Sequence, residues 1–583
     1  MPGRYADQLE SMESEEAAIA LHDEFLYLHE HPLYWTDLNS KKLNTIPLLT
    51  VTERDSLLTI RSRLPDPESW ESVEKYFSPD VMEILRYLVL LGQEQPVAGE
   101  IRWRGKSTDP ADLQSYTRFR LSQKGRYTSG IVLERDQGES SITDQIAGGI
   151  ELHNVPYLDK VLLGGFRIGY GSGLAFGTSM GLSKSSSAVG NVDRNGTRLR
   201  VNESSLESAG FTGVAIQENW GNHHFQVAGA YSLRDGEWDG QQLVLSKSGL
   251  HTTERSALRA NRVGEELLTG AYWFKSKGRI IGFQGSGISY QDRRSEKPIR
   301  RDKTRSVWLQ TDNFQHETAL DASDNRAHFS SLRRDISFAE FVVAHRWYAP
   351  TYRAEYAGGF GEYHGTSNEE GWYIGMESKL GDTRWYWYFD AFHEIEGTSN
   401  PPGSGTEWLL RCDWRPRSRM LITGYIKTES KEIPFTQSAN GVVHITNLLR
   451  EKRHYRAEWR YRWESGRTIT VKTDYIVTDY SERQITGSQW AYRLTFPWRK
   501  RNRYQVFLVP YNVADSEAST YYFVMPVYGT MQLMRQTGSG LLFGHQLRIQ
   551  MSDQAEITIF HLQRQEERSI LYSVLAVQMD IAF

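Results

Sequence analysis

Three histidines near the start of the chain, His22, His29 and His31, suggest a metal site, because imidazoles on one helical face can converge on a single ion. His29 and His31, however, stand two residues apart and diverge on a helix, so the segment reads as a solvated helix face. His223 and His224 are adjacent, and on a strand they point to opposite faces. A glycine-rich run, GGFRIGYGSGLAFG at 164–177, has the composition of a phosphate loop. It lacks the Lys-Ser/Thr that would follow and opens no helix with G-x-G-x-x-G spacing. Gly164, Gly165, Gly169, Gly171 and Gly173 are therefore expected to serve strands that pack closely or bend. No Ser-His-Asp order or G-x-S-x-G elbow organises the carboxylates. The sequence offers no catalytic, cofactor-binding or metal-ligating set, so neither enzyme activity nor a cofactor is expected.

What dominates instead is aromatic. The 583 residues include 31 Tyr, 23 Phe and 17 Trp, in a chain whose mean hydropathy is only −0.55. The most apolar runs, VMEILRYLVLLG and RYQVFLVPY, are too short or too polar to span a bilayer as helices. The single Cys412 excludes a disulfide framework, and so cysteine-poor a chain suits an envelope compartment.

Two patterns divide the chain. Residues 1–95 carry helical spacing in AAIALHDEFLYLHEH, TVTERDSLLTIRSRL and SPDVMEILRYLVLL, punctuated by Pro32, Pro47, Pro65 and Pro79. Residues 96–583 carry period two. The clearest strand is YRAEWRYRW: Tyr455, Ala457, Trp459, Tyr461 and Trp463 share one face, and Arg456, Glu458, Arg460 and Arg462 the other. A soluble core would use mostly Val, Ile and Leu there, whereas a lipid-facing wall uses aromatic girdles. EWLLRCDW and TITVKTDYIVTDY repeat the pattern, and YRAEYAGGFGEY is expected to do so with Tyr352, Ala354, Tyr356, Gly358 and Phe360 facing lipid. Charges on the opposite faces imply a wet lumen.

The connections alternate as well. Short turns are expected at 220–222, 276–278, 380–382, 415–418, 464–466 and 551–553, and long polar loops at roughly 183–206, 234–262, 293–335 and 430–451. About two dozen strands result, which predicts a mainly β fold: a large antiparallel transmembrane β-barrel with a small all-α N-terminal domain. Parity fails in one place, since three apparent strands separate the short turns near 499 and 552.

The chain ends LAVQMDIAF, with Leu575, Val577, Met579, Ile581 and Phe583 alternating to the last residue. This resembles the C-terminal signal strand of bacterial outer-membrane β-barrels. The resemblance implies recognition by the barrel assembly machinery and closure against the first strand, leaving no open edge in lipid. A soluble propeller or sandwich is the alternative, but no blade repeat accompanies these faces.

The head DLNSKKLNTIPLLTVTERDSLLTIRSRL resembles a degenerate helix-hairpin-helix, of the kind carried by DNA-uptake-like envelope proteins. Asn39, Pro47, Leu48, Leu49, Thr50 and Arg61 fall at its motif positions, and SWESVEKYFSPDVMEILRYL resembles an eroded second copy. Such units bind DNA through hairpin glycine amides and nearby cations. Here the hairpin Pro47-Leu48-Leu49 has no glycine, and residues 1–95 hold 18 acidic against 8 basic side chains. An acidic surface repels a polyanion, so DNA is disfavoured and the head is expected to act as a plug or as a contact for a periplasmic protein.

The opening MPGRYADQLESMESEEAA shows no basic start followed by an apolar stretch, so either the true start lies upstream or the sequence is a mature form. The expected location is nonetheless the outer membrane of a Gram-negative bacterium. The leading functional expectation is a porin-like transport or uptake channel. A structural or assembly protein of the envelope, a DNA-uptake component, and an outer-membrane hydrolase with residues converging on the barrel wall are the alternatives.

Overall fold

The computed structural model describes residues 21–583 with interruptions, the longer of which are 92–96, 139–144, 178–183, 193–197 and 204–209; within the first twenty it describes Tyr5 and Leu9. From Ala98 to Ala582 the chain forms a closed antiparallel barrel of 24 strands. Closure is made by the first and last strands, with Ile101 opposite Ile581 and Ser107 opposite Leu575. Every wall strand thereby finds both neighbours, which is what hydrocarbon demands of backbone N–H and C=O groups.

The faces follow the period-two reading. In the strand Val442–Arg462, Tyr455 and Trp459 are exposed on the outer wall, as is Trp463 just past its end, while Arg456 and Glu458 are buried inside. Ser404–Arg417 places Trp408, Leu410, Cys412 and Trp414 outward, opposite Glu407, Leu409, Arg411 and Asp413. All six expected short turns lie on one rim. Gly221 (φ +59°) and Gly381 (φ +58°) take the left-handed conformation two of those turns require. Short turns on one rim and long segments on the other give the layout of an outer-membrane barrel.

Four expectations are corrected. YRAEYAGGFGEY is not a wall strand; its described residues belong to a segment within 349–368 whose described part folds into the lumen. Tyr352 donates to the Leu174 carbonyl at 2.8 Å and Tyr356 to Glu265, partners a lipid face could not supply. Within the glycine-rich run, Gly164 and Gly165 lie against Gly148 and Gly149 of the neighbouring strand, but Gly171 (φ +53°) and Gly173 (φ +81°) turn an in-folded segment rather than a strand. The stretches 293–335 and 430–451 are mostly strands. Met420–Ala439 and Val442–Arg462 pair with each other beyond the last residues their other neighbours reach, so their upper parts stand above the rim as a two-stranded ribbon. The parity difficulty also resolves. Only Asn502–Val513 and Gly538–Gln550 are wall strands between the turns near 499 and 552, and the third apparent strand is a separate hairpin, Thr520–Val524 with Gln532–Gln536, inside the barrel.

The described head residues include helices Val51–Arg63, Trp70–Glu74 and Pro79–Leu88. Pro79 opens the last of these at the position where its missing N–H costs nothing. Leu57, Ile84, Leu85, Leu43 and Ile46 share one buried core with Trp35, whose indole donates to Leu64 O at 2.7 Å.

Candidate gate in the barrel lumen

The inward faces of the wall are rich in paired charge, and three elements occupy the space they enclose. The first is the segment after Leu158–Gly169. Its Ser172 amide donates to Glu317 of the wall, the Lys184 ammonium lies 2.9 Å from Asp390, and the Val189 amide donates to Glu377 at 3.0 Å. The second is the 349–368 segment, whose Glu362 contacts Lys184 and lies 3.0 Å from Lys431. Arg346 joins the same cluster through Asp390 at 2.8 Å and through Glu369. Burial alone would raise the Glu362 carboxyl; Lys184 and then Lys431 hold it down at about 2.

Carboxylate oxygens of Glu362, Glu407 and Glu429 come within 4.8 Å of one another. Lys184 and Lys431 on Glu362, Lys427 at 3.2 Å from Glu407, and Arg450 on Glu429 sit where a cation would. The cluster is internally neutralised and ties the in-folded segments to the wall.

The third element is the lumenal hairpin. It leaves the long-segment rim near Ala518 and runs down the wall: the Tyr522 hydroxyl receives Arg493, and Gln546 donates to the carbonyls of Met525 and Pro526, each at 2.9 Å. Its far end packs Phe523, Met525, Met531 and Leu533 on the core of the head. The hairpin thus joins one rim to the head at the other.

The head sits at the short-turn rim, where its acidic side chains meet arginines. Glu53 and Asp80 occupy the first turns of two helices, where a carboxylate complements the helix dipole. Glu53 lies 2.5 Å and Asp80 3.7 Å from Arg384, and Asp80 is also 3.1 Å from Arg415. Arg462 reaches Glu83 at 3.7 Å. On another arc of the rim, beside the closing strands, a cavity of about 720 Å³ opens between head and wall; His29, Tyr528, Arg102, Arg548 and Asp580 line it.

Of the residues at the helix-hairpin-helix motif positions, Pro47, Leu48 and Thr50 lie outside the described set. Asn39 is exposed, Leu49 is buried, and Arg61 donates to Thr36 O at 2.6 Å. His31 also lies outside the described residues, while the His29 ring stacks on Tyr87 and His22 bonds Tyr5 at 2.8 Å. At the other end Leu575, Met579 and Phe583 are exposed on the outer wall, and Phe583 exchanges both backbone hydrogen bonds with Gly99. The lumenal cluster was not found from sequence, because nothing local marks Lys184 or Glu362 as partners of Asp390 and Glu407.

No protein-family model and no curated protein sequence matches the chain. Among solved structures it is similar to the copper transporter OprC, at 8% identity and a TM-score of 0.39, over 85% of this chain and 83% of that one. The siderophore receptor PirA from Acinetobacter baumannii aligns at 7% identity and a TM-score of 0.41, over 85% and 82%. The ferripyoverdine receptor of the outer membrane of Pseudomonas aeruginosa aligns at 11% identity and 0.40, over 85% and 73%. Values this low carry nothing about the lumen from those proteins to this one.

Proposed function

We propose that this chain is an outer-membrane transport or uptake barrel whose channel is closed by residues 1–95 together with the in-folded segments. The observation that carries this reading is the docking of an acidic head onto rim arginines, Glu53 and Asp80 on Arg384 and Arg415. The rim contact itself is made by ion pairs, which recover little beyond their desolvation cost, while the lumenal hairpin supplies apolar packing to the head. Charge contacts are also what a partner or solute can exchange. The acidity of the head has a use here that DNA binding would not give it, and two of the described cations of the helix-hairpin-helix region, Arg54 and Arg61, bond carbonyls within the head.

The test is single-channel conductance of the full chain carrying Arg384→Gln and Arg415→Gln. Larger or more frequent openings than the parent are expected. Closed traces from a correctly folded variant would sink the gate and favour an envelope-assembly role, for which a periplasmic protein partner of the head would be sought.

A further inference from the structure

The outer wall is not uniformly suited to hydrocarbon. From Tyr455 to Trp463, at the end of Val442–Arg462 and just past it, five successive outward positions are aromatic or alanine, which covers about 20 Å of the wall's height once strand tilt is allowed for. On Lys297–Gln310 the outward positions are Leu309 and Val307, then Arg305, Lys303 and Arg301, while Trp308, Ser306 and Thr304 face inward. Arg305 lies in the cross-strand row of Gly285 and Gly270, and Lys303 in that of Gly287 and Leu268. Leu268 is 68% exposed, so Lys303 shares its cross-strand row with lipid-facing apolar surface two strands away. Arg326 continues the row of Arg305 through Leu320.

The neighbouring outward positions are polar too. His316 bonds Ser330 at 2.8 Å and Thr318 at 3.0 Å, and Thr318 bonds His328 at 2.9 Å. Beside the cations the wall is bare backbone: a Cβ at Gly285 would meet nothing within 4 Å, and one at Gly287 only the Leu268 carbonyl at 4.0 Å. Arg305 pairs with Asp324 at 2.5 Å, and Glu266 is an acid on the same face. Arg301, Lys303 and Arg326 have no ion-pair partner among the described residues.

We infer that this notch seats the phosphorylated headgroup of an outer-leaflet glycolipid, drawn below the level it takes elsewhere around the barrel. An unpaired Lys or Arg facing hydrocarbon is costly, and membranes relieve that cost by thinning locally and bringing headgroups to the charge. Cations supply the complement to phosphate, and the glycine recess leaves room for a sugar ring against the wall. The inference needs only the transmembrane wall and is independent of the transport reading.

The test uses the full chain folded in neutral detergent, titrated with bisphosphorylated lipid A and followed by native mass spectrometry. Arg301→Gln, Lys303→Gln and Arg326→Gln together should weaken binding by at least about tenfold, with the cold and boiled gel mobilities of the parent retained. Removing both phosphates from the lipid should weaken binding to the parent similarly, and inorganic phosphate at equal concentration should not displace the lipid. Parent-like affinity in the folded triple variant, or displacement by inorganic phosphate, would overturn the assignment. A second variant, Lys303→Leu with Arg301→Leu, guards against a folding artefact. It should also lose lipid A while tolerating phosphatidylcholine vesicles, and retained lipid A affinity there would equally overturn it.

Discussion

Lys184 and Asp390 are 206 positions apart in sequence, yet ammonium and carboxylate meet at 2.9 Å inside the barrel. Asp390 also holds Arg346, and Lys184 also holds Glu362, so one cation ties two in-folded segments to the wall. Lys184→Met leaves buried carboxylates short of a countercharge, a change that costs about 3–5 kcal/mol where nothing relaxes. The segment is expected to relax by leaving the wall. Larger conductance and new proteolytic cleavage between 178 and 192 in the folded variant are the expected readouts; parent-like behaviour in both would remove the latch.

The same latch sets a pH dependence. The Glu362 value of about 2 lies below that of a free glutamate, roughly 4.3. A depressed carboxylate stabilises the folded state above its unfolded value and loses that contribution as pH falls through the folded one. The part of the conductance that Glu362 controls should therefore be level from pH 8 to 5 and rise only in more acid buffer, as pH approaches 2. Glu362→Gln should already be open at neutral pH, and a transition centred near pH 6 would point to other groups.

Wall position should grade the cost of a cation. Ala457 lies midway between Trp463 at the short-turn rim and Glu451, where pairing with the next strand ends. Ala457→Arg is expected to cost about 2–4 kcal/mol and Trp463→Arg about 0–1. Trp459, three residues from the end of its strand, should fall between them. Denaturant unfolding in vesicles measures all three, and equal costs would contradict the outward assignment.

The terminal strand should control assembly. Deleting 575–583 removes every partner that Glu100–Ser107 has on the closing side of the barrel and leaves two open edges in lipid. No heat-modifiable barrel is expected in the outer membrane. Phe583 packs so closely on Gly99 that a Cβ there would lie 2.3 Å from the ring, so Gly99→Val should reproduce part of the defect in pulse-labelled assembly.

Period two by itself determined the alternating wall and the outward faces of Tyr455–Trp463 and Trp408–Trp414; the short connections added the rim shared by six turns, and the resemblance of the last strand to outer-membrane signal strands implied closure. The faces are legible because in a barrel a residue's face depends only on its parity and the chemistry of the two solvents. Parity does not say which alternating or polar segment belongs to the wall. Tyr352 and Tyr356 alternate like lipid-facing residues but have hydroxyls that find Leu174 and Glu265 across the lumen. Arg301, Lys303 and Arg305 occupy true wall positions whose polarity made them read as a loop. Only closure of the barrel brings Lys184 to Asp390 and Asp80 to Arg415, because those contacts join charges whose separation along the chain leaves no local pattern.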